Sequence, residues 1–172
     1  AVASTIAVRS AANAALGVVE PMSKFPSIRD LKVDRSVMFK NLMKVKAWVP
    51  IDGTYDLGPG PRLSPKDQAV GYELSRCMTC GCCLEACPQV NPKSDFMGAA
   101  ILSQVRLFNM HPTGKMQADE RLDALMGKGG LADCGNAQEC VEVCPKDIPL
   151  TTSIAVVEWE ATKRMFRKLL GN

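Results

Sequence analysis

The sequence predicts a mainly α-helical domain wrapped around two cysteine clusters, with an orphan N-terminal extended segment in front of it. Three observations predict this. Apolar residues recur at helical spacing through much of the chain after residue 35, in segments bounded by capping or breaking residues. Aromatic residues make up only 5% of the chain, so large rings do not fill its centre. The eight cysteines gather instead in two signatures that are copies of one another.

Composition bounds the answer further. A chain of 172 residues accommodates one ordinary core with a smaller appendage. Hydrophobic content of 47% is that of a globular protein, and no run approaches the roughly 18 apolar residues of a membrane-spanning helix. A formal charge of +3, from 21 basic and 18 acidic residues, is too mild to argue for nucleic acid. No secretory signal accompanies the cysteines, and cysteines two residues apart converge on a metal more readily than they bridge one another.

The elements follow in order. Residues 1–17 are rich in Ala, Val and Ser, with Arg9 the only charge and no initiator Met. They read as a processed or truncated end, since an organelle presequence would carry more arginine. Gly17 to Asp34 predicts one extended strand and an exit, with no evident partner strand. Ser36 then caps a helix whose stripe is Met38, Leu42, Val45 and Trp48, flanked by Phe39 and Met43, and Pro50 stops it. Residues 50–63 form a long loop marked by Asp52-Gly53 and Gly58-Pro59-Gly60-Pro61.

Ser64-Pro65-Lys66-Asp67 opens a second helix, with Ser at the cap, Pro in the first turn and Asp three residues on. Val70 and Leu74 share its inner face, and it delivers the chain to Cys77. Ser94 caps a third helix, aligned on Met97, Ile101, Val105 and Phe108, that ends before His111-Pro112-Thr113-Gly114. A shorter helix around residues 119–126 stops at Gly127. Pro149 with Thr151 or Thr152 starts the last helix, whose face is Ile154, Val157, Ala161, Met165 and Leu169. Lys163, Arg164, Arg167 and Lys168 suit its C-terminal dipole, and Gly171 ends it.

The first signature reads Cys77-Met-Thr-Cys80-Gly-Cys82-Cys83-Leu-Glu-Ala-Cys87-Pro88, the second Cys134-Gly-Asn-Ala137-Gln-Glu-Cys140-Val-Glu-Val-Cys144-Pro145. A shift of 57 positions lays Cys77 on Cys134, Cys83 on Cys140, Cys87 on Cys144 and Pro88 on Pro145. One position fails: Cys80 falls on Ala137.

The spacing Cys-x2-Cys-x2-Cys-x3-Cys-Pro is the bacterial iron–sulfur signature, in which the fourth cysteine serves the cluster of the other repeat. Cys77, Cys80, Cys83 and Cys144 then make a complete [4Fe-4S] site. Cys87, Cys134 and Cys140 make a second site one thiolate short, because the methyl of Ala137 ligates nothing. Three thiolates suit a [3Fe-4S] cluster. The alternatives are a labile [4Fe-4S] cluster with a non-protein ligand, or no cluster. Cys82, lying between two ligands, points out of the loop in a small apolar role. A structural zinc module mediating protein contacts is the reading from another class. Zinc wants four ligands per site, however, and the second signature offers too few.

These residues also carry a family resemblance. Cys80-Gly81-Cys82-Cys83-Leu84-Glu85-Ala86-Cys87-Pro88-Gln89-Val90-Asn91 resembles the iron–sulfur subunit of succinate dehydrogenase (succinate:quinone oxidoreductase). So do Ser103-Gln104-Val105-Arg106 with His111-Pro112-Thr113-Gly114, and Asp133 to Ala137 with Cys140 to Lys146. The loop Ile51–Pro61 and the stretch Phe25–Arg35 match as well. The resemblance runs from about Glu20 to about Arg167 and implies a helical, two-cluster ferredoxin-like fold with the same ligand assignment. It implies an electron wire of the respiratory chain and tricarboxylic acid cycle. In such complexes a flavoprotein subunit oxidises succinate at FAD, and electrons step through [2Fe-2S], [4Fe-4S] and [3Fe-4S] centres. They end at a quinone held against membrane-anchor subunits, often with haem b. The chain would then be an oxidoreductase subunit with no catalytic acid or base of its own. It would lie on the cytoplasmic face of a bacterial plasma membrane, or on the matrix face of a mitochondrial one. A fumarate reductase subunit is the same wire run backwards.

Two departures qualify the resemblance. The family's [2Fe-2S] centre sits in an N-terminal domain with cysteines of its own, and no cysteine precedes Cys77 here. Residues 1–35 are accordingly read as the remnant of a missing [2Fe-2S] domain, and 36–172 as the helical [4Fe-4S]/[3Fe-4S] domain. Some members also place tryptophan and histidine near the quinone where this chain has Pro92 and Gly135, which leaves Pro88 and Gln89 as quinone-proximal candidates.

The remaining candidates have plainer readings. His111 reads as a turn residue before a proton donor or haem ligand, and Trp48 and Trp159 as core or contact residues before an electron path. Lys93, Arg106, Lys115 and Lys146 read equally as solvated cations or as offsets to cluster charge.

Overall fold

The computed structural model describes residues 6–7, 19–50 and 60–171. Residues 1–5 and 8–18 of the N-terminal segment, and 51–59 of the expected loop, lie outside the described residues. The extended segment ahead of the helices is present, but it is paired. β1 (Ile6–Ala7) runs antiparallel to β2 (Glu20–Pro21), and β3 (Ser27–Arg29) pairs antiparallel with β4 (Lys32–Val33). The single orphan strand is thereby corrected to two short ladders. Asp30 turns the chain between β3 and β4 at φ 46°, a left-handed conformation that Asp tolerates.

α1 (Ser36–Lys44) begins one residue earlier than expected, with Arg35 rather than Ser36 at the cap position. The capping carboxylate belongs to Asp34, which accepts from the Ser36 backbone N–H at 2.8 Å and from its hydroxyl at 3.0 Å. α1 stops before Trp48 and Pro50 because Lys46 takes φ 48°. Met38 and Val45 are buried as the stripe requires, whereas Phe39, Met43 and Trp48 are exposed. α2 (Pro65–Ser75) starts as predicted: the Ser64 hydroxyl accepts from the Asp67 N–H at 3.1 Å, and Pro65 opens the first turn. The short α3 (Cys82–Ala86) follows.

α4 (Ala99–Met110) starts after Ser94, which instead accepts from the Phe96 N–H in a local turn. Its early residues are buried all round: Ala99, Ala100, Ile101, Leu102 and Ser103. A helix apolar on every side belongs in the middle of a core, and α4 is that middle. A 3-10 turn (Gly114–Gln117) leads to α5 (Ala118–Met126), and a second (Leu131–Asp133) leads to the second signature, whose helix is α6 (Glu139–Glu142).

α7 (Leu150–Leu169) packs along α4 through Leu150, Ile154, Val157 and Ala161, while Met165 and Leu169 stay exposed. Arg164, Arg167 and Lys168 near its end bind α5 rather than only serving the dipole. Arg164 reaches Asp119 at 3.0 Å and Asp123 at 3.3 Å, and Lys168 reaches Asp123 at 2.7 Å. Among the described residues no helix is long and apolar enough to cross a membrane.

Candidate metal centres

α2 delivers the chain to the first signature with Leu74 fully buried and the Cys77 N–H bonded to the Leu74 carbonyl. Two left-handed residues then fold the loop, Thr79 at φ 51° and Gly81 at φ 93°. Glycine suits position 81 by φ, and the space there is tight. A Cβ there would stand 3.0 Å from the Phe25 ring. α3 carries Cys83 inward, leaving it 8% exposed. Cys77, Cys80 and Cys83 meet Cys144 around one cavity, closed by Met38, Ala100, Ile148 and Leu150.

The second signature repeats this geometry at the same shift of 57. Asn136 takes φ 51° where Thr79 does, and Gln138 takes φ 64° where Gly81 does. Cys140 is 8% exposed, matching Cys83. Cys134 and Cys140 meet Cys87 around a second cavity, and Ala137 lines it where a fourth thiol would stand. Each cavity has about 360 Å³ of atom-free space, counting its mouth. Holding a non-glycine residue left-handed at Gln138 costs about 1–2 kcal/mol, so the loop keeps its conformation without glycine's freedom.

Burial dominates the thiol chemistry. It raises the pKa of Cys77 and Cys140 and pushes Cys83 up furthest, with neighbouring cysteines adding to the shift. Hydrogen bonds from the Thr79 backbone and the Gln104 side chain work the other way at Cys77. Such thiols ionise readily only beside a compensating positive charge. No three His, Cys, Asp or Glu side chains among the described residues gather as a single-ion site. The thiols ring a hollow instead. A ring of thiols around an apolar hollow suits a sulfide-bridged iron cluster, and the donor set fits.

The other candidates fall as follows. Cys82 lines neither cavity. It is half-buried, and its thiol is pushed up to about 11, first by burial and then by its hydrogen bond with Cys80. Gln89 lines the second cavity and lies over Gly135, where a Cβ would come within 2.4 Å of its Nε2. Pro88 is exposed beside it. His111 is a turn residue whose Nδ1 accepts from the Thr113 and Gly114 N–H groups at 3.2 and 3.3 Å. Trp48 and Trp159 are exposed, so neither is core. Lys146 lines the first cavity, Arg106 donates to Ser153, and Lys93 and Lys115 are exposed.

Sequence reading missed the contacts made by residues 22–35, which lie against the first loop. Met22 and Phe25 are buried at Gly81. Glu85 accepts from the Ser23 N–H at 2.8 Å, the Ser23 hydroxyl at 2.6 Å and the Lys24 N–H at 3.0 Å. Lys24 donates its Nζ to the Cys87 carbonyl. Arg35, 8% exposed, donates to the Thr79 and Cys80 carbonyls at 2.6 and 3.2 Å. Glu85 signalled itself only by recurring as Glu142 in the second signature. Lys24 and Arg35 gave no signal, because their partners lie more than forty residues on.

Comparisons with known proteins bear on the same residues. The family model for a 4Fe-4S dicluster domain matches residues 73–148. The succinate dehydrogenase iron–sulfur subunit of Bacillus subtilis (strain 168) is 64% identical over 154 residues, covering 90% of this chain and 61% of that one. The fumarate reductase iron–sulfur subunit of Wolinella succinogenes is 31% identical over 137 residues, covering 78% and 57%. A chain of the Mycobacterium smegmatis Sdh1 complex in the apo form superimposes with TM-score 0.65 at 26% identity, covering 86% of this chain and 62% of that one. The chain therefore spans about three-fifths of the length of the curated relatives it matches.

Proposed function

We propose that this chain, 64% identical to a succinate dehydrogenase iron–sulfur subunit and matched by a 4Fe-4S dicluster model, is an iron–sulfur subunit of that kind and carries electrons between a flavoprotein subunit and a membrane quinone. In this reading Cys77, Cys80, Cys83 and Cys144 hold a [4Fe-4S] cluster, and Cys87, Cys134 and Cys140 hold a [3Fe-4S] cluster. Residues 36–172 are the cluster-holding domain, and residues 1–35 lead into it. The partners are the FAD-bearing subunit and membrane-anchor subunits, with or without haem b, and the chain sits peripherally on the cytoplasmic face. Succinate oxidation is preferred over fumarate reduction because identity to the succinate dehydrogenase relative is 64% against 31%.

The observation that carries the reading is the sorting of thiols between the two cavities. Each signature contributes its early cysteines to one hollow and its last cysteine to the other. When bound, a cluster of this kind supplies reversible one-electron transfer with no bond to substrate. Everything else is the work of side chains and backbone. Met38, Ala100, Ile148 and Leu150 give the first hollow apolar walls. The Thr79 N–H and the Gln104 side chain hold Cys77 by its sulfur, and hydrogen bonds to ligand sulfurs help set a cluster's potential. The second loop, Gly135–Glu139, is exposed where the first is covered. That exposure supports giving the second site the end of the path that meets quinone, with Gln89 and Pro88 at its edge.

Iron and acid-labile sulfide analysis with EPR of the oxidised protein tests the proposal. Brown protein holding both elements, with an oxidised-state signal from a three-iron centre, is expected. Colourless protein containing zinc would overturn it.

A further inference from the structure

The two cavities are built from one local pattern, but a single outside segment supplies both with cations. Residues 22–35 cross the first loop, pinned by Met22 and Phe25 at Gly81 and by the bonds from Ser23 and Lys24 to Glu85. From this segment Arg35 donates to the Cys80 carbonyl, and Lys24 donates to the Cys87 carbonyl. Cys80 lines only the first cavity and Cys87 only the second. The segment thus sorts its cations one to a cavity.

Each cation stands at the backbone of a ligand residue in partly or fully buried surroundings, where charge interactions are stronger than in water. Taking up an electron makes a cluster one unit more negative. A fixed positive charge nearby stabilises the reduced form more than the oxidised form and raises the potential.

We propose that Arg35 and Lys24 set the potentials of the two centres separately: Arg35 raises that of the site of Cys77, Cys80, Cys83 and Cys144, and Lys24 that of the site of Cys87, Cys134 and Cys140. The inference rests on the cluster reading above. Neither residue touches the reacting atoms; both act through the field of their charge. The Glu85 carboxylate lies close to Lys24 and offsets part of its charge.

The test is a redox titration of the intact complex, each centre followed by its own EPR signal. Arg35→Met lowers the reduced-to-oxidised ratio of the first centre about tenfold at fixed potential, equivalent to about 59 mV for one electron, and leaves the second unmoved. Lys24→Met lowers the second and leaves the first unmoved. Arg35→Lys and Lys24→Arg keep most of the native value. If Arg35→Met fails to load its clusters, Arg35→Gln, which keeps a donor and loses the charge, reads the same shift. Both centres moving together in each variant would mark a merely structural role and overturn the inference, as would no movement in either. Absence of iron and sulfide from the unsubstituted complex would instead sink the cluster reading on which the inference stands.

Discussion

Changing Ala137 to Cys tests the geometry most directly. Ala137 lines the second cavity at the position that Cys80 occupies in the first. Its neighbours already hold the required backbone: Asn136 at φ 51° copies Thr79, and Gln138 at φ 64° stands for Gly81. The new side chain adds one sulfur to an exposed alanine, so no core is overpacked and no further residue is forced left-handed. The folding cost is within about 0.5 kcal/mol, the usual size for an exposed substitution. On the proposed assignment the gain is one iron per chain, converting a three-iron centre to four. Iron quantified against protein rises by that one atom, and the oxidised-state EPR signal of the three-iron centre is lost. The control is Ala137→Ser, which matches the size without the soft sulfur and leaves the signal in place. An unchanged iron content and EPR signal in fully folded Ala137→Cys would refute the assignment of position 137 as the missing corner.

Three other substitutions probe the surroundings. Cys82→Ser leaves the iron, the sulfide and both EPR signals unchanged, because Cys82 lines neither cavity; loss of either centre would show it to be a ligand. Glu85→Gln costs about 1 kcal/mol at pH 7, less than a fully buried charged bond because Glu85 is only half-buried. Burial pushes its carboxyl up, but hydrogen bonds from Ser23 and Lys24 outweigh that and hold it below its ordinary value of 4.5. A depressed folded pKa stabilises fully above the unfolded value and is lost as pH falls through the folded one. Urea midpoints of the native and Glu85→Gln proteins therefore converge as pH drops below 4.5, and a gap that widens there would contradict the sign. Arg121→Met removes a fully buried guanidinium that donates to the carbonyls of Lys46, Trp48 and Gly114 and to Asn109. The expected loss is about 2–3 kcal/mol, the cost of leaving buried acceptors without a donor, read as a fall in urea midpoint at constant slope; a loss under about 1 kcal/mol would show that those carbonyls find other partners.

What was legible in the chain was what is local. The Ser64 cap, the Pro65 start, the His111 turn and the repeat of the two signatures each depend on residues a few positions apart, and each was readable from spacing and side-chain chemistry. The start of α4 was not. Gly98 sits at φ 92°, where a Cβ would meet Leu84 Cγ at 2.7 Å, and the Met97 N–H bonds to the Gly129 carbonyl. Those tertiary contacts, invisible from Ser94, delay the helix to Ala99. α1 stops short for a related reason. Its exit carbonyls at Lys46 and Trp48 go to Arg121, more than seventy residues later.

The same division separates the two cavities. Read locally, the signatures differ at a ligand position only at 137, and the left-handed residues, short helices and equal burial of Cys83 and Cys140 follow from that shared code. A further difference comes from outside the repeat. The segment of residues 22–35 covers the first loop and leaves the second loop open. Burial raises the electrostatic cost of adding charge, and the cations on that segment oppose the cost. A duplicated pattern alone would give two near-equivalent centres. The proposed electron path needs unequal ends, and the second signature lacks a thiol at Ala137 while a covering segment lies over the first.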